Sequence, residues 1–172
     1  MKKSILIALC ITLSLSVFAQ TNETPKFGHI NKQDVFALLP EADAAMKELE
    51  ALLLNYKMES KKLEEEFTKK QQEYAASQDK LEATIKKYRE TELQRLYQSI
   101  EEFSKNAETG LQKKQAELLA PIETKINEAI TKVGDENGFI YIFDVTNPGT
   151  FAYMSSKSIN VLPLVKVKLG IK

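Results

Sequence analysis

His29 is the one histidine of this 172-residue chain and Cys10 its one cysteine, so the side chains that most often hold metals or act as nucleophiles are nearly absent. A tetrahedral zinc site draws mainly on His and Cys, and no second member of either exists here. A Ser/His pair needs a local signature, and none surrounds His29. The run Glu64-Glu65-Glu66 supplies carboxylates, but adjacent residues on a helix point apart and cannot act as an acid–base pair. The stretch "VGDENGFIYIFD" invites a calcium reading, with Asp135, Asn137, Gly138 and Ile140 at positions three, five, six and eight of an EF-hand loop. Val133 then stands where the first ligand belongs and Asp144 where the bidentate Glu belongs, so the reading fails. The six glycines form no G-x-x-x-x-G-K-[ST] phosphate loop. No catalytic residue, metal or cofactor is expected. The chemically distinctive groups that remain are aromatic, namely Phe67, Tyr74, Tyr88, Tyr97 and Phe103, and basic, namely Lys80, Lys86, Lys87 and Arg89. Apolar contact suits the first set. The second is a candidate for peripheral contact with anionic lipid or an acidic partner, although Asp79, Glu82, Glu90 and Glu92 offset it and a solvated face is the default reading.

The ends of the chain bound where such contacts would occur. Lys2 and Lys3 precede an apolar run from Ile5 to Phe18, and Val17-Phe18-Ala19 resembles an A-x-A cleavage site. This predicts a signal peptide over residues 1–19, cut before Gln20, and hence an exported, soluble mature chain. The run falls short of the about 20 residues that a membrane span needs, and no second candidate follows. Cys10 lies inside it, so the mature chain has no thiol and no disulfide. Lysine and arginine number 24 against 24 acids; without Lys2 and Lys3 the balance is about −2, which gives no support for a nucleic-acid partner.

Helices must position the aromatic and basic groups. From Leu38 the apolar positions run through Leu49, Leu52, Tyr56, Leu63, Phe67, Tyr74, Leu81, Ile85 and Tyr88, with polar steps at Ser60, Gln71 and Gln78. A second series runs from Leu93 through Phe103, Leu111, Gln115, Leu118, Ile122 and Ile126 to Val133. Both have a mean step of about 3.6, an α-helical stripe. One unbroken helix of that extent would be about 140 Å long, and the symmetry of the stripes favours two antiparallel helices reversing near Ser77 to Ala83. Gly110 and Pro121 interrupt the second helix without breaking its stripe, and Gly134 is placed as its C-cap. The stripe is dense at the base and dilute toward the tip, which predicts a flexible arm. Outside the arm, Lys26 to Asn31 reads as a strand. Ile140 to Val145 and Thr150 to Met154 read as a hairpin about Asn147-Pro148-Gly149, and Asn160 caps a short last helix. These strands cannot bury Phe27, Ile140, Ile142, Phe143, Phe151 and Tyr153 within one chain, so more copies are called for.

The segments "KFGHINKQDVFALLPEA", "LQKKQAELLAPIETKINEAITKVGDENGFIYIFD" and "FAYMSSKSINVLPLVKVKLG" resemble the Skp/OmpH family of periplasmic outer-membrane-protein chaperones, over about Lys26 to Lys172. The resemblance implies a mainly α fold with a small β body, in which a long antiparallel helical hairpin is attached to a small trimeric β-barrel assembly domain. It implies a body from 20–40 and 134–172, an arm over 41–133, and trimer-body residues Phe27, Ile30, Ile140, Ile142, Phe143, Phe151 and Tyr153, with His29 facing the barrel or its rim. The function implied is an ATP-independent holdase that keeps unfolded outer-membrane proteins in a cavity between arms; an exported coiled-coil scaffold or spacer is the alternative. The chain departs from the strongly basic composition of well-known members, and their Asp-Ile-Thr appears as Ser158-Ile159-Asn160.

Overall fold

The computed structural model describes residues 24–171; the expected signal peptide, with Cys10, lies outside them. Strand β1, Lys26–Ile30, ends at Asn31, whose side-chain oxygen accepts from the Gln33 N–H at 2.9 Å and caps helix α1, Lys32–Ala37. Pro40 then opens α2, Pro40–Ser77, at the position where a missing N–H is harmless. A single 3-10 turn, Gln78–Lys80, precedes α3, Ala83–Asn137, so the break falls inside the expected window. Strand β2 is Phe139–Asp144, β3 is Ile159–Asn160, and α4 is Leu162–Leu169. The structure is 74% helical, a mainly α fold with a small sheet.

Contacts between α2 and α3 pair residues in opposite order. Glu41 meets Lys125, Glu48 meets Lys114 at 2.8 Å, and Lys70 meets Glu92 at 2.5 Å. Tyr56 stands edge-on to Phe103 at 6.1 Å, and Phe67 tilts against Tyr97 at 6.2 Å. Half-buried positions at 49, 52, 56, 60, 63, 67, 70, 74, 77 and 81 follow steps of three and four that keep one seam facing its neighbour. Ser60 and Gln78 are half-buried as expected, while two other polar steps of the seam differ. Lys70 and Lys114 are half-buried where Gln71 and Gln115 were expected, and the two glutamines are exposed. A lysine stem can lie along the seam while its ammonium reaches a carboxylate across it, Glu92 in one case and Glu48 in the other. Gly110 has a packing reason: a Cβ there would stand 2.7 Å from the Tyr56 hydroxyl.

The continuous core lies at the base. Ile30, Val35, Leu39, Ala42 and Ala45 close against Ile122, Ile126, Ala129 and Val133 of α3, with Val161 and Val165 completing it. Above Ala45 and Ile122 the seam side chains are only half-buried. Gly134 does not end α3. The helix continues to Asn137, and Gly138, at φ 67°, is the cap, its N–H bonding the Gly134 carbonyl. Gly134 instead lies under the sheet, where an added Cβ would come 3.6 Å from Ile142.

The sheet corrects the expected hairpin. Its order is β2-β1-β3 and both pairings are parallel. The turn at Asn147 forms, with the Thr150 N–H reaching the Asn147 carbonyl at 3.3 Å and Gly149 at φ 84°. Thr150 to Met154 nevertheless pairs with no strand. Phe151 turns onto the face of the sheet, its ring 5.1 Å from that of Phe143, and the chain passes over β1 to place β3 on the far side. Parallel neighbours need such a long connection, whereas a tight turn would have forced an antiparallel pair. Among the described residues the three strands leave two edges open and do not close into a barrel.

Candidate functional site

Alternation along the strands separates two faces. Gly28 and Ile30 turn inward, and a Cβ on Gly28 would meet Val161 at 2.9 Å and both Ile142 and Phe139 at 3.2 Å. Phe27 turns outward with Tyr141 and Phe143, all three rings stacking at 5.8 to 6.4 Å. Ile140 is the extra residue at an irregularity, since Lys26 pairs with Phe139 and Phe27 with Tyr141. Together with Phe151, Tyr153, Met154 and Ile159 this makes an exposed apolar face, and a groove of about 730 Å3 opens on it. Of the residues assigned to the assembly body, Phe27, Ile140, Phe143, Phe151 and Tyr153 are exposed. Ile30 is buried and Ile142 is packed against the chain's own core. Tyr141, Met154 and Ile159 belong to the same face and were missed.

On the arm, Phe67, Tyr74 and Phe103 are half-buried in the seam, while Tyr88 and Tyr97 are exposed. Further exposed apolar side chains on the arm are Met46, Leu53, Leu54, Met58 and Ile85. Four of these sit on α2 off the seam positions, which is the signal that could have found them: they are the apolar residues left over once the stripe is subtracted. At the tip, Lys80 lies in the turn, while Lys86, Lys87 and Arg89 occupy helix positions that project in different directions. Arg89 bonds Glu92 at 3.1 Å. The basic groups therefore do not converge on one point.

The tip is closed by a polar network. Glu92 accepts from Lys70 and Arg89, and these bonds hold its carboxyl below the ordinary 4.5. The Tyr74 hydroxyl donates to Glu90 at 2.6 Å, which pushes its ionisation up to about 12. A lowered carboxyl contributes fully above its unfolded value and is lost as pH falls through its folded one. The raised phenol contributes until pH climbs through about 12. A nitroxide on Gln78 should therefore report the same tip mobility from about pH 5 to 10 and loosen in acid below the usual carboxyl range. Glu92→Gln should loosen it throughout, and unchanged mobility in that variant would show that the network does not hold the tip.

Among the described residues no helix is long and apolar enough to cross a membrane, and no three His, Cys, Asp or Glu side chains are grouped to hold a metal. The residues that build the sheet, the arm and the last helix are together the span matched by a family model described as outer membrane protein (OmpH-like), residues 26–169. The chain belongs to the OmpH-like family. A search of curated proteins gave no match. The family is one of periplasmic chaperones concerned with outer-membrane proteins, and the exposed faces of this OmpH-like chain are apolar and aromatic.

Proposed function

We propose that the chain is an ATP-independent periplasmic holdase, exported by its cleaved 1–19 signal peptide, whose copies assemble as a homotrimer through the sheet and hold unfolded outer-membrane β-barrel proteins between antiparallel helical hairpin arms. In this reading 41–133 is the arm, while 20–40 and 134–172 form the assembly body. The observation that carries it is the exposed Phe27–Tyr141–Phe143–Phe151 face in an OmpH-like chain. An apolar face of this kind on a soluble protein calls for a partner, and two open sheet edges offer one the means to pair. Phe67, Tyr74, Tyr88, Tyr97 and Phe103 are the client contacts assigned from the sequence. Exposure favours Tyr88 and Tyr97 among them and adds Met46, Leu53, Leu54, Met58 and Ile85. Methionine and leucine suit a client of no fixed shape, because their side chains adapt to many surfaces. Confinement among several arms would let contacts that are individually weak act together.

Trimer supplied at one per client should keep a denatured porin from aggregating on dilution, and a coiled-coil spacer without chaperone activity should not. Because the mature chain is nearly neutral, the dissociation constant for that porin should change less than about threefold between low and physiological salt. A tenfold loss would move the binding to Lys80, Lys86, Lys87 and Arg89, and with it the case for peripheral contact with anionic lipid.

A further inference from the structure

His29 is the single histidine of the chain, and it stands on the outward face of the sheet's central strand. It is half-buried there, with Phe143 as its register partner on β2 and Asn160 on β3. Its Nδ1 lies 2.8 Å from the Ser158 hydroxyl, a partner able to donate to a neutral ring or accept from a charged one. From β2 the face also presents Tyr141; the segment leading to β3 brings Phe151 and Lys157 to the groove, and β1 itself brings Lys26. The one carboxylate on these strands is Asp144, already engaged by Thr146 and Lys32. A positive charge on His29 thus has no free acid on these strands to meet it, and the groove that its partners Phe143 and Ser158 help to line carries Lys26 and Lys157 and no carboxylate.

We propose that His29 makes association of copies through this aromatic face acid-sensitive. The inference rests on the assembly reading above. Covering the face with a second copy removes water from the ring, which a neutral imidazole with its hydroxyl partner tolerates and an imidazolium does not. Water still reaches the half-buried ring of a separated copy, so a charge on it costs less there than under a covering copy and the dissociated state binds more protons. Association is then complete above the range where imidazoles titrate, near pH 6.5, and is lost as pH falls through it. The loss is up to about tenfold in the association constant per histidine for each pH unit, and so up to about a thousandfold for three copies.

The test uses untagged mature protein, whose one imidazole gives a single Cε1 proton resonance. Sedimentation should give an assembled mass at about pH 8 that falls toward the single chain by about pH 5.5, with the imidazole titrating alongside it. His29→Gln, which cannot be charged and can still bond Ser158, should stay assembled at both. Assembly that is equally firm at both pH values in the natural protein overturns the proposal, as does the same acid dissociation in His29→Gln. A single chain at about pH 8 overturns the assembly reading itself. If His29→Gln does not fold, the natural protein still decides: an imidazole that titrates while the assembled mass stays constant is a negative result.

Discussion

Ile142→Asp abolishes folding of the body, whereas Phe143→Asp, one residue along, leaves the chain folded and separates its copies. The two side chains leave β2 on opposite faces. Ile142 packs against the core above Gly28 and Gly134, within 3.2 and 3.6 Å of where their Cβ atoms would be. Gly28 leaves no room for relaxation, because Val161 crowds the same point. An unpaired carboxylate forced into that space costs several kcal/mol, a large share of the about 5 to 15 kcal/mol that holds a domain together. Phe143 touches Phe27, Tyr141 and Phe151 and is 36% exposed, so Asp there remains hydrated in the single chain and is buried only when another copy covers it. Circular dichroism with sedimentation separates the cases: lost thermal transition for the first, retained helix with a smaller mass for the second. If Phe143→Asp kept the mass of the natural protein, the aromatic face would not be the assembly surface.

Backbone amides of the arm between about Ser60 and Ser104 exchange with solvent at least a hundredfold faster than those of β1 and of α3 from Ile122 to Val133. The latter bound the core that holds Ile30, Ile126 and Val133 at 3% exposure or less. Opening them requires unfolding of the body, whereas arm amides need only a local separation of half-buried seam residues. The ion pairs there add little protection, since exposed pairs are worth about 0 to 1 kcal/mol. Equal protection in arm and base would mean that the arm is as rigid as the body, and a cavity that adapts to client size would lose its physical basis.

The helices were legible because their stripes are long; Asn31, read as the last residue of a strand, caps α1 instead. Two of the polar seam positions were not legible. A gap of seven between Phe67 and Tyr74 divides as three and four or as four and three, and the choice of Lys70 over Gln71 was made by Glu92, more than twenty residues away. Gly134 misled for a similar reason. Two glycines close together each fit a helix end, and only the packing of Ile142 shows which one the helix passes through. The sheet failed where local signals were strongest. Asn147-Pro148-Gly149 does turn the chain, but pairing direction depends on the strand already present beside β2, and β1 lies at the other end of the sequence. The aromatic face was anticipated in kind, since Phe27, Phe143 and Phe151 were expected to need a partner. Tyr141 and Ile159 depend on the actual register.

The parallel order β2-β1-β3 also sets a sequence of events. The central strand is the earliest described element of the chain, and both of its neighbours come from the last part, with Lys26 bonded to a carbonyl 111 residues away. In the proposed export from its N-terminus, the chain presents β1 long before anything exists to pair with it. Closing so long a loop at random is slow, and an unpaired strand carrying Phe27 is a target for the wrong neighbour. The α2–α3 contacts are local around the turn and can zip from Gln78 toward the base, shortening the effective loop as they go. Arm formation then governs how long β1 waits, and substitutions that weaken the seam slow the completion of a sheet they never touch.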